Sequence, residues 1–133
     1  MRSLVSIISL TILCVVITSC RKEGLGGKTT VIAKLSHHHH VIVNQAGYPD
    51  TVFVKFDAKE SAGTNPSDYD TFFVGDEGED HVPMPGFKPG DYFLFGVGLD
   101  TASNQRVKGG VAIKIKGRDK NEEINVDIPV TED

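Results

Sequence analysis

The sequence predicts an all-β fold, a single small antiparallel β-sandwich of about seven strands. Three observations carry that expectation. Apolar residues recur with period two along the chain beyond residue 28. No segment there shows a 3.6-residue apolar period long enough to build a helix. Glycine, proline, asparagine and aspartate cluster between the alternating runs, where turns belong.

The N-terminus has a different character. Met1-Arg2-Ser3 leads into an apolar run from Leu4 to Ile17, broken only by Ser6, Ser9 and Thr11. One positive charge, a short apolar core and small residues before a cut are the marks of a secretory signal. The run falls short of the roughly 20 apolar residues that a membrane-spanning helix needs. It ends on Ile17-Thr18-Ser19-Cys20, which resembles the lipobox of bacterial lipoproteins. The resemblance implies cleavage before Cys20 and acylation of its sulfur, with several acyl chains anchoring far better than one. The chain thus divides into a lipoprotein signal peptide (1–19), a lipidated Cys20 with a flexible Gly-rich linker (20–28), and a β-sandwich domain (29–133). Cys14 leaves with the signal, so the exported domain carries no disulfide and is held by its core.

The strands follow in order. Val31, Ala33 and Leu35 alternate with Ile32 and Lys34; Val52, Val54 and Phe56 alternate with Phe53 and Lys55. Phe93, Phe95, Val97 and Leu99 share one face of a strand, with Gly96 and Gly98 on the other. Val111, Ile113 and Ile115 alternate with Lys114 and Lys116. Ile124, Val126, Ile128 and Val130 form the cleanest run, and Pro129 within it predicts an edge strand or an unpaired position.

The stretch Asp76–Leu99 carries a family resemblance. An acidic turn, Asp76-Glu77-Gly78, precedes His81-Val82-Pro83-Met84-Pro85. Then comes Gly86-Phe87-Lys88-Pro89-Gly90-Asp91-Tyr92-Phe93-Leu94, which resembles the G-x-x-P-G-x-Y-x-L segment of carboxypeptidase regulatory-like domains. Their wider relatives are the transthyretin-like (prealbumin-like) and Cna-B-type sandwiches. The resemblance implies a prealbumin-like sandwich and a non-catalytic module that contacts protein or glycan; it implies architecture more than activity. Tyr92, set just after the Pro89-Gly90 turn, is expected to be structural, packing or bonding to backbone.

Chemistry concentrates at His37-His38-His39-His40. In an extended chain alternate histidines point the same way, about 6.6 Å apart. Either alternate pair then offers two imidazoles to one metal, with a third ligand needed from elsewhere. Candidates are His81 and the loop carboxylates Glu60, Asp68 and Asp70. Zinc, copper and calcium are the ions considered, although the acidic loop lacks an EF-hand order. The alternatives are a solvated bend joining the first two strands, or a pH-responsive contact. Residues 57–70 form the longest loop, where Asp68 and Tyr69 are candidate contact residues.

With 14 basic and 18 acidic residues the chain is mildly acidic, and losing Arg2 with the signal makes it more so. That argues against a nucleic-acid partner. The sequence contains no G-x-S-x-G elbow, H-E-x-x-H or P-loop, and no free thiol survives acylation, so a non-enzymatic protein is expected. The leading expectation is a lipid-anchored module of the bacterial cell envelope, on the periplasmic face of the outer membrane or at the surface. Its partners are the membrane, through the anchor, and an envelope protein or glycan. The alternative is a metal-binding envelope lipoprotein using His37–His40.

Overall fold

Strict alternation commits each run to one buried face, and two such faces must cover one another. The structure, a computed structural model, describes residues 23–133. In chain order the strands are β1 (Leu25–His37), β2 (His40–Val41), β3 (Thr51–Phe56), β4 (Thr71–Val74), β5 (Val82–Phe87), β6 (Gly90–Asp100), β7 (Gln105–Ile115), β8 (Glu123–Pro129) and β9 (Thr131–Glu132). Seven are of ordinary length, and β2 and β9 are two-residue additions. Short 3₁₀ turns, Pro66–Asp68 and Gly117–Asp119, interrupt two of the connections.

Two sheets result. In the first, β1 carries β8 along one edge and β5 followed by β2 along the other. The second has the order β4-β3-β6-β7-β9. All pairs are antiparallel except β1–β8, which runs parallel from Thr30↔Glu123 to Ser36↔Pro129. That departure from a purely antiparallel expectation arises because the chain leaves β7 in one sheet and enters β8 in the other. Among the described residues β8 pairs with β1 alone, so Pro129 lies on an edge strand there.

The core is the layer between the sheets, filled by Val31, Ala33 and Leu35 from β1, Val52 and Val54 from β3, and Tyr92 and Leu94 from β6. On β6 the inward face is Tyr92, Leu94, Gly96, Gly98 and Asp100, and the Phe93–Leu99 face points outward. The two glycines are in the core because other side chains need their space: a Cβ on Gly96 would sit 3.0 Å from Leu35, and one on Gly98 would clash with the Asp50 carboxyl and crowd Leu35 at 3.2 Å. Outside, Phe95 is covered by Tyr69, stacked at 5.7 Å, and by Phe53 at 6.3 Å.

β1 begins at Leu25, inside the stretch 20–28 expected as a flexible linker. The reason is Tyr92. Its hydroxyl accepts from Gly24 N at 2.9 Å and donates to Lys88 O at 2.7 Å, pinning the start of β1. Tyr92 is therefore structural, as its place after the Pro-Gly turn implied. Cys20 and the signal segment lie outside the described residues.

Candidate metal centre at the histidine hairpin

The four histidines form a tight hairpin. His37 pairs with His40 across β1 and β2, so His38 and His39 are its two loop residues. Both have positive φ, 48° and 68°. A two-residue hairpin with φ > 0 at both central positions is the I′ geometry that normally uses Asn-Gly. Histidine is one of the few side chains enriched there, but each such residue costs on the order of 1 kcal/mol.

The inward register of β1 (Val31, Ala33, Leu35) continues to His37, leaving it only 1% exposed. The inward register of β6 ends likewise on Asp100, which is 3% exposed. The two meet: His37 Nδ1 lies 2.6 Å from Asp100 Oδ2. Asp100 also accepts from Ala102 N at 2.9 Å, and His40 Nε2 stands 3.3 Å from its Oδ2. The His37 contact, more than any other, holds the Asp100 carboxyl down to about 2. An ionised carboxylate can only accept, so His37 Nδ1 is the donor. The same contact raises the imidazole's pKa.

This fixes the other face of the ring. His37 Nε2 is buried and lies 3.2 Å from Glu132 Oε1 on β9, within ion-pair range but poorly aligned for a hydrogen bond. His38 Nε2 lies 3.1 Å from the same oxygen, and the two histidine rings are 4.0 Å apart. One nitrogen from each ring and one Glu132 oxygen all lie within 4.8 Å of one another. A groove of about 340 Å³ runs beside them, lined by Ser36, His37–His39 and Pro129–Thr131.

The sequence placed several residues differently. It expected alternate histidines to act together, but the I′ turn breaks strand alternation and brings the chain neighbours His37 and His38 together. His39 sits exposed at the tip, and His40 leans on Asp100. His81 does not join them: its Nδ1 is 3.0 Å from Asp80, which also holds Lys34 at 3.1 Å. Nor do the loop carboxylates supply a third ligand. Glu60 and Asp68 are exposed in the 57–70 loop. Asp70 accepts from Phe56 N at 2.7 Å and so ties that loop to β3. Tyr69 is no open contact surface; it is 8% exposed, stacked on Phe95, and donates to Gly63 O at 2.7 Å. The loop packs its tyrosine onto the outer face of the second sheet.

Asp100 and Glu132 were not foreseen. Asp100 could have been found by carrying the Tyr92-Leu94-Gly96-Gly98 register one step further. Glu132 has no local signal, because its position depends on the crossover from β8 to β9.

No protein-family model and no curated protein matches the sequence. Among solved structures, the chain is similar to a DUF4876 family protein from Bacteroides thetaiotaomicron VPI-5482. Identity is 21% and the TM-score 0.41, with 78% of this chain and 24% of that one covered. The chain thus spans about a quarter of the length of the protein it matches.

Proposed function

We propose that the chain is a lipid-anchored, non-enzymatic binding module of a bacterial cell envelope, whose contact end is the histidine hairpin. One observation supports this reading: Gly24, four residues after Cys20, and His37 flank opposite ends of a single strand. Gly24 is pinned by Tyr92 at the start of β1. Cys20 lies four residues before it, a reach of at most about 14 Å. The 13 residues of β1 then carry the chain about 40 Å to His37. A lipid on Cys20 would hold the hairpin away from the bilayer, facing whatever approaches the membrane. The Gly86–Leu94 resemblance to carboxypeptidase regulatory-like domains, modules that contact protein or glycan, supports the same reading.

Two measurements test it. Labelled palmitate should enter the protein in a bacterial host, and Cys20→Ala should abolish the label and release the chain from the membrane fraction. In vesicles containing nitroxide lipids, a fluorophore on Leu25→Cys should be quenched and one on His39→Cys should not. An unlabelled wild type would remove the anchor, and equal quenching at both positions would remove the outward display.

A further inference from the structure

We propose that His37 Nε2, His38 Nε2 and Glu132 Oε1 form a site for one Zn²⁺-class transition-metal ion, with Asp100 as the positioning residue behind His37. The proposal is independent of the lipid anchor, because every group it uses lies in the sandwich.

The geometry is that of a zinc shell waiting for small adjustments. Tetrahedral zinc with N and O ligands at about 2.0–2.2 Å sets neighbouring ligand atoms roughly 3.3–3.5 Å apart. The two histidine nitrogens already stand 3.2 and 3.1 Å from the Glu132 oxygen. The decisive observation is His37 itself. Its buried Nε2 meets only the Glu132 oxygen, at ion-pair distance but without the alignment of a good hydrogen bond, and a buried ring nitrogen so loosely satisfied calls for an explanation. Here the donation from Nδ1 to Asp100 turns Nε2 toward the other two ligand atoms. Carboxylate, imidazole and metal in line is how metal-binding histidines are usually oriented and made more basic. Two consecutive non-glycine residues at positive φ put His38 beside His37, and strain of this kind concentrates at functional sites.

The donor set chooses the ion. Two imidazoles and one carboxylate suit Zn²⁺ and Cu²⁺, whereas Ca²⁺ requires six or more oxygens. Three protein ligands leave a fourth position for water or an incoming ligand, next to the groove at Pro129–Thr131.

The test is calorimetric titration of the full chain in detergent with Zn²⁺, Cu²⁺ and Ca²⁺ at neutral pH. Zn²⁺ should bind one-to-one with a Kd below about 1 μM, and Ca²⁺ should not bind. His38→Asn and Glu132→Gln change exposed side chains, so both should fold, as circular dichroism will check. Each should weaken Zn²⁺ at least tenfold. His39→Asn and His81→Asn should leave affinity unchanged. Asp100→Asn should weaken it by about 10–100-fold and shift the visible bands of the Co²⁺ form, a signature that simple loss of packing does not produce. Equal losses for His39→Asn and His38→Asn would show an unstructured polyhistidine effect and overturn the site. Wild-type affinity in Glu132→Gln would overturn it as well. Absence of binding would leave a cross-sheet ion pair only.

Discussion

Asp50 carries a carboxyl into the core with neither oxygen hydrogen-bonded, packed over Gly98. Burial alone pushes its pKa up to about 7. An acid with a raised native pKa keeps its proton when folded and loses it when unfolded. Stability should therefore fall by about 1.4 kcal/mol per pH unit as pH rises from near 4 toward 7, then level off. Asp50→Asn should flatten that slope, as urea midpoints measured between pH 4 and 8 will show; an unchanged slope would place the titration elsewhere. At the hairpin tip the local cost is conformational. His39 takes the second central position of an I′ turn, where glycine is preferred, and it is not one of the three ligand residues. His39→Gly should therefore raise stability by up to about 1 kcal/mol in chemical denaturation and leave Zn²⁺ affinity intact. Opposite effects on stability from His39→Gly and on metal from His38→Asn would separate the turn from the site it builds.

Between the sheets, the element that decides the chain's course is the crossover from β8 into β9. It passes so close to β7 that a Cβ on Gly109 would land on the carbonyl oxygen of Pro129. Backbone cannot yield there as a flexible side chain can. Gly109→Ala should cost about 1–3 kcal/mol or more, read as a lowered urea midpoint. Gly117→Ala, where a Cβ meets nothing within 4 Å, is the control. Similar losses at both positions would refute the close-approach explanation. The same elements show how far the sequence could be read. Alternation identified the cores of β1, β3, β7 and β8, because period two is a local property of each run. It did not show which face of β6 turns inward. The larger side chains, Phe93 to Leu99, face out, since the space above Gly96 is filled by Leu35 from the other sheet and that above Gly98 by Asp50 and Leu35. It missed the early start of β1, which depends on a hydroxyl 68 residues away. The site was half legible for the same reason. His37 and His38 stood in plain view, but their carboxylates come from β6 and β9 through pairings that no local pattern encodes.

At the scale of the whole sandwich, the histidine cluster is a seam. His37 and His38 belong to the end of the first sheet and its hairpin, whereas Asp100 and Glu132 belong to the second. An ion held by His37, His38 and Glu132 would therefore cross-link the two layers at the end remote from Gly24, where β9 is tied to β7 by only two residue pairs. An unfolded chain keeps the four histidines but not Glu132 beside them, so binding adds to folding stability by at most about 2.7 kcal/mol at a free metal concentration a hundredfold above Kd, less whatever the unfolded histidine run binds. Zn²⁺ should raise the thermal midpoint, and a chelator should reverse the change. Hydrogen exchange should slow together at His37–Val41 and Thr131–Glu132, on both sides of the seam. Glu132→Gln should shrink both effects while leaving the metal-free midpoint nearly unchanged, since its partly exposed contacts are individually weak. Protection confined to the hairpin would mean that the ion sits on the histidines alone and the sheets remain joined only by their core.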